Sequence, residues 1–362
     1  MIPPKTVCYL ANARSIHTQR WTAHFSRRGY CVHVMSFDKG DIPGVEVHHV
    51  PPPFSFKPVG FLLTLPKVKR ILRTIRPDIL HAHYATSYGL IGALTGFKPL
   101  IVTAWGTDVL IMPQKSRLFR GILLWSLGKA DLITSMAAHM TAVLKGLGVD
   151  DKKIVTLPFG VDTAVFHPGL RAREEDIDII CTRPCESLYN VDLLIRSLPL
   201  IAARYPQLRC VLIGGGSQEP KLRALAEDLG MTVHIHWTGH VSLPDVAKWL
   251  GRAKVFVSPS LSDGNNISLN EAMACGCFPV CTDIPANREW LEDGQNGYLV
   301  PVDQPEVLAE RVCLALGALD FRRRCAETNW RIVENRADWN KHMATMEGFY
   351  LNMMDGRMKT KA

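Results

Sequence analysis

The chain has 362 residues, 47% of them hydrophobic and 21% charged, which excludes a disordered protein and leaves room for two domains of ordinary size. Its formal net charge of +8 is unevenly spread: residues 1–168 hold 20 Lys and Arg against 9 Asp and Glu, and the remainder 22 against 25. A basic first half points to an anionic membrane surface or a phosphorylated substrate, and nucleic acid is set aside because no nucleic-acid motif accompanies the charge.

Taken in chain order, short apolar runs alternate with helical patterns. The strand-like runs of the first half are TVCYLANA, CVHVMSF, VEVHHV, DILHAHY, LIVTAW, DLITSMA and KIVTLPFG. Those of the second half are DIDIICTRP, RCVLIGGG, VHIHWTGH, VFVSPS, FPVCTD and YLVP. This is the pattern of parallel sheets covered by helices on both faces, and the length calls for two of them. The Pro- and Gly-containing stretch PFGVDTAVFHPGLRAREED reads as the passage between them. The expected division is residues 1–165, then 166–339, with a final helix over 340–362 that returns to the first domain. Trp339, Met343, Met346 and Tyr350 fall on one face of that helix.

The opening stretch MIPPKTVCYLANARS has no long apolar run and does not read as a signal peptide, and no uncharged run is long enough to span a membrane. A cytoplasmic location is the expectation. The ten cysteines agree with it. Cys275, Cys277 and Cys281 cluster without the paired C-x-x-C spacing of a zinc site and read as small buried thiols, so no metal is expected.

In open α/β sheets ligands sit beyond the carboxyl ends of the strands. The loops that matter are therefore Ser15 to Arg20, Tyr84 to Tyr88, Trp105 to Asp108, Arg183 to Asn190, Gly214 to Ser217 and Asp263 to Ser268. In SDGNNISLNEAMACG, Ser268 and Glu271 fit a capping box, with Ser268 as the N-cap. Alternatively, the helix amides hold a phosphate while Asp263 and Glu271 accept hydrogen bonds from sugar hydroxyls. Gly264 would let the backbone approach the ligand. Gly214-Gly215-Gly216-Ser217 opens another helix, but G-x-G-x-x-G is absent from both halves, which weighs against a nicotinamide enzyme. Arg183, after its strand, is placed to fork onto a diphosphate or to form a surface ion pair. Asp176-Ile-Asp178 lies at the start of a strand, the wrong end for a site. His81 and His83 are read as pointing to opposite faces of their strand, and Asp108 as a loop cap or a site acid. PKVKRILRTIR (66–76) and KSRLFRGILLW (115–125) read either as solvated helix faces or as basic surfaces for an anionic membrane.

The stretch from Ser262 to Pro301 resembles the donor-site signature of the bacterial family 4 glycosyltransferases: an acidic residue, seven positions, Glu, then Ala-Met-Ala-x-Gly, a later Glu and a closing Asn-Gly. PFGVDTAVFHP is similar to that family's crossover between domains. The resemblance covers residues from about 5 to 350. It implies a GT-B fold, two Rossmann-like doubly wound domains facing a central cleft. It also implies transfer with retention from a nucleoside diphosphate sugar, of UDP or GDP type, to a glycan or lipid-linked acceptor in cell-surface polysaccharide synthesis. No cofactor beyond the donor itself is implied. Under the resemblance Glu271 holds the ribose, Asp263 with Gly264, Asn265, Asn266, Ile267 and Ser268 holds the donor sugar, and Arg183 binds the diphosphate. Gly214, Gly215 and Tyr189 line the donor site, while Ser15, His17, Arg20 and Trp105 lie on the acceptor side.

Three positions depart from the family pattern. Asp263 is one methylene shorter than the usual Glu. The usual lysine after the arginine is replaced near Tyr189. Trp105 stands where a histidine is usual, which leaves Asp108, His83 or His17 to substitute for it. Two rival readings remain: a sugar-nucleotide epimerase of the same fold, and a catalytically degenerate relative that binds lipid or a partner.

Overall fold

The computed structural model describes residues 5–53, 57–171 and 175–356. The chain divides into two compact units. The first runs to Pro158 and resumes at Met343; the second is Phe159–His342. The sequence placed these changes at 165 and 340. Of the expected passage and final helix, 172–174 and 357–362 lie outside the described residues.

In the first unit the strands are β1 (Thr6–Leu10), β2 (Cys31–Ser36), β3 (Glu46–His49), β4 (Ile79–His83), β5 (Leu100–Ala104), β6 (Leu132–Ser135) and β7 (Ile154–Thr156). They form one parallel sheet in the order β3-β2-β1-β4-β5-β6-β7. The order reverses between β1 and β4, the switch point at which such sheets bind ligands. β4 and β5 are buried along their whole length, as strands covered on both faces must be.

Around the sheet pack Trp21 and Phe25 of the helix Ile16–Arg27. The final helix, Trp339–Met354, returns Met343, Met346 and Tyr350 to the same core, all fully buried. The Tyr350 hydroxyl lies 3.0 Å from that of Tyr9 and 2.6 Å from His81 Nδ1. His81 Nε2 is 2.6 Å from Thr103 Oγ1, so both ring nitrogens are committed to structure. The opposite-face reading of His81 and His83 fails. Residues two apart on a strand share a face, and the two rings are 4.9 Å apart.

The second unit carries β8 (Ile177–Cys181), β9 (Cys210–Ile213), β10 (Ile235–Gly239), β11 (Ala253–Ser258), β12 (Phe278–Thr282) and β13 (Tyr298–Val300). Their parallel order is β10-β9-β8-β11-β12-β13, with the switch point between β8 and β11. Strand alternation divides the core. Ile179, Val255 and Val257 pack with the helix Val191–Ala202, while Ile180 and Phe256 pack with Leu269, Met273 and Val333. Asp176 pairs with Arg252 and Asp178 with Lys254 at the amino ends of β8 and β11, away from the switch point.

Candidate active site

In both sheets the sequence-predicted loops flank the switch point. In the second unit Arg183 follows β8 and Asp263 follows β11. The Arg183 guanidinium donates from Nη2 to Asp263 Oδ2 (2.6 Å) and from Nη1 to Asn266 Oδ1 (3.0 Å) and Ser268 Oγ (3.3 Å). It lies 4.3 Å over the Tyr189 ring. Arg183 is only 7% exposed, and its Nε–H is buried with no hydrogen-bond partner. Asp263 also accepts from the backbone N–H groups of Gly264 and Asn265. Burial nevertheless raises its carboxyl above the usual carboxylate value, so the guanidinium and the amides offset only part of the desolvation.

The helix Ile267–Ala274 begins two residues earlier than the capping box requires. Asn266 is its N-cap, with its side-chain oxygen accepting from Leu269 N at 3.1 Å. Ser268 lies inside the first turn, and Glu271 is too far along the helix to reach back to the cap. The physical reason is tertiary. Asn266 Nδ2 donates to Ser258 Oγ (2.9 Å) and Asn287 Oδ1 (2.8 Å), which fixes Asn266 at the helix entrance. Glu271 sits one turn beyond Ile267 and is 7% exposed. We expect Asn266→Ala to destabilise the protein by about 3 kcal/mol, from a lost cap and stranded buried partners. Ser268→Ala, by contrast, should cost under about 1 kcal/mol. Equal shifts in the urea midpoint for the two variants would contradict this assignment of the cap.

Gly214 and Gly215 pack against the Arg183 loop, with Cys185 N donating to Gly215 O at 3.0 Å. Gly216 has φ +159, and a Cβ there would lie 2.4 Å from the Cys185 carbonyl oxygen, so this close approach admits only glycine. Sequence reasoning missed Asn287, Trp290 and Asn270. Trp290 Nε1 donates to Asn265 Oδ1 at 3.1 Å. The Asn270 side-chain amide and Asn265 Nδ2 are buried without hydrogen-bond partners. The available signal was three asparagines, at 265, 266 and 270, beside a strand end where apolar residues were expected.

In the first unit His83 ends β4, 1% exposed, with neither ring nitrogen hydrogen-bonded. Burial, with a smaller contribution from neighbouring His17, pushes its pKa down to about 3. Trp105 lies 5.3 Å from both His83 and His17, ring to ring. Arg20 follows His17 by one turn on the same helix, and Ser15 occupies that helix's N-cap position without a side-chain cap bond. Tyr84 adopts φ +70 and opens a π-helical turn, Tyr84–Tyr88. Asp108 is the tie between these loops. It accepts from Ala85 N (2.8 Å), Gly106 N (2.9 Å) and Trp105 N (3.1 Å), while burial raises its carboxyl above the usual range.

Two parallel α/β sheets, each with a polar cluster at its switch point, are the architecture of the GT-B fold class. Residues 6–137 match the family model described as glycosyl transferase 4-like, and residues 162–330 the model of glycosyl transferases group 1. The chain belongs to this glycosyltransferase family and is a glycosyltransferase enzyme. It is 28% identical over 369 residues to EpsD, a Bacillus subtilis (strain 168) protein named as a glycosyltransferase, covering 92% of this chain and 94% of that one. It is 29% identical over 307 residues to the phosphatidyl-myo-inositol mannosyltransferase of Mycolicibacterium smegmatis, covering 82% and 76%. HepE of Anabaena, solved in complex with UDP and glucose, has the same fold: TM-score 0.80 over 95% of this chain and 99% of that one, at 16% identity.

Proposed function

We propose that the chain moves a sugar, with retention of configuration, from a nucleoside diphosphate sugar of UDP or GDP type to a hydroxyl of a glycan or lipid-linked acceptor. The setting is cell-surface polysaccharide synthesis. One observation carries the reading: the Arg183 guanidinium, fixed by Asp263, Asn266 and Ser268 at the β8/β11 switch point, with its Nε–H buried and unpaired. A buried donor without a partner calls for one, and a diphosphate oxygen supplies it. That HepE is solved with UDP supports the reading.

Arg183 and the amides at the start of the helix Ile267–Ala274 stabilise the charge on the departing diphosphate. Glu271 accepts from the ribose hydroxyls. The unpaired Asn265 Nδ2, the Asn270 side-chain amide and the backbone from Gly264 to Ile267 orient the donor sugar, and Gly214, Gly215 and Tyr189 complete that side. On the acceptor side His83 is a neutral imidazole, because burial disfavours its charged form, and it hydrogen-bonds a substrate hydroxyl without becoming protonated. Asp108 positions the loops around it, and Ser15, His17, Arg20 and Trp105 surround the acceptor. Exposed Leu118 and Trp125, with Arg117 and Arg120 on the same helix, fit contact with the anionic inner face of a cell membrane. Among the described residues no helix is long and apolar enough to cross one.

The test is calorimetric titration with UDP, GDP, ADP and dTDP, repeated on Glu271→Ala. We expect one nucleotide to bind selectively and the variant to bind it at least about 10-fold more weakly, the value of one charged hydrogen bond. A folded wild-type protein that binds none of the four overturns the proposal. A new sugar nucleotide formed without acceptor would favour epimerisation instead.

A further inference from the structure

The amino ends of β2 and β3, at the edge of the first unit's sheet, bring together side chains that the transfer reaction does not use. β2 begins Cys31-Val-His33 and β3 begins Glu46-Val-His48. Alternation puts each pair on one face of its strand, and the register pairs His33 with Glu46 and Met35 with His48. His33 Nδ1 lies 3.1 Å from His48 Nε2 and 3.4 Å from Glu46 Oε2, and His48 Nε2 lies 3.5 Å from Glu46 Oε1.

A hydrogen bond between the imidazoles accounts for the first distance only. The two nitrogen–carboxylate separations are longer than the usual N–H···O range of about 2.7–3.2 Å. The Nδ1–Nε2 and Nδ1–Oε2 separations lie close to the tetrahedral edge of about 3.3 Å that metal–ligand bonds of about 2.0–2.1 Å imply, and Oε1 of the same carboxylate lies beside His48. The geometry points to a binding site for one divalent transition cation of the zinc class, held by His33 Nδ1, His48 Nε2 and the Glu46 carboxylate.

Cys31 supports the site from behind. Its Sγ lies 3.4 Å from His33 Nε2, where it accepts the ring N–H and leaves the Nδ1 lone pair facing the other two ligands. Glu46 is 65% exposed and His48 21%, so an ion and a water as fourth ligand enter from solvent. Among the described residues no other group of three His, Cys, Asp or Glu side chains comes as close together. Because the site lies at the amino ends of its strands, the ion does not act on the reacting sugar. It clamps the edge strand β3 onto β2.

The full chain, stripped with EDTA, is titrated with CoCl2 and then with ZnCl2. We expect one equivalent of Co2+ to give the visible ligand-field band of a four-coordinate N/O site, and Zn2+ to displace it. Glu46→Gln, at an exposed position, and His48→Gln, at a part-buried one, both checked for folding by circular dichroism, should lower the affinity about 100-fold or more. Cys31→Ser should lower it about 10-fold. Zn2+ should raise the melting temperature of the wild type and not that of His48→Gln. Three results overturn the proposal: no four-coordinate band in the wild type, equal binding by the His48→Gln and Glu46→Gln variants, or an intense thiolate charge-transfer band placing the ion on cysteines.

Discussion

Arg183→Ala is expected to transfer sugar about 10²–10³-fold more slowly, with the loss in kcat rather than in KM alone. The diphosphate gains most of its charge as the glycosidic bond breaks, so a guanidinium aimed at it contributes more in the transition state than in the bound donor. Arg183→Lys should recover little. A lysine presents a point charge and cannot reach Asn266, Ser268 and Asp263 together as the planar fork does. The same substitution touches stability. Without the guanidinium, Asp263 is a largely buried carboxylate that has lost its charged partner, at a cost of about 3 kcal/mol. Adding Asp263→Asn removes that charge, so the double variant should regain stability while remaining slow. Steady-state kinetics and urea unfolding of the four proteins separate the two effects. Rates for Arg183→Ala within threefold of wild type would remove Arg183 from the mechanism.

The second large effect is on the acid side of the stability profile. His83 titrates at 6.5 in an unfolded chain and at about 3 in the folded one, chiefly because burial disfavours its charged form. Burial lowers His81 as well, with His83 adding to the effect. Between those values the unfolded state binds the proton that the native state does not. The full stability is therefore present above pH 6.5 and is lost as pH falls toward 3, at up to about 1.4 kcal/mol per pH unit for each histidine. The raised carboxyls of Asp108 and Asp263 act in the opposite sense, losing stability as pH rises from 3.8 through their folded values. The histidine contribution is therefore read as a difference between proteins. Urea midpoints from pH 7 to 4 should fall more steeply for wild type than for His83→Gln. Parallel slopes would mean that the folded imidazole takes up its proton over the same pH range as the unfolded one.

The strands were legible because each is a short apolar run bounded by turn residues, and a strand buried on both faces has little other pattern to adopt. The site was legible as a set of loops, because ligands gather at carboxyl ends whatever the side chains are. Pairings were another matter. The bond between Arg183 and Asp263 joins residues 80 apart in the chain, and nothing local to either announces the other. The choice of Asn266 over Ser268 as cap turned on Ser258 and Asn287, which only the folded sheet brings near. The trio His33, Glu46 and His48 depends on the register of two strands, which a linear reading does not supply.

The core of the first unit is completed by residues that follow the second unit in the chain. A ribosome releases the continuous second unit, Phe159–His342, before the helix that carries Met343, Met346 and Tyr350 has fully emerged. Until then Tyr9 and His81 lack the hydroxyl they share, and the groove that receives Tyr350 is open to water. The half of the protein made first is the half finished last. Translation stopped between His342 and Tyr350 leaves the first unit with an unfilled apolar groove while the second unit is already intact.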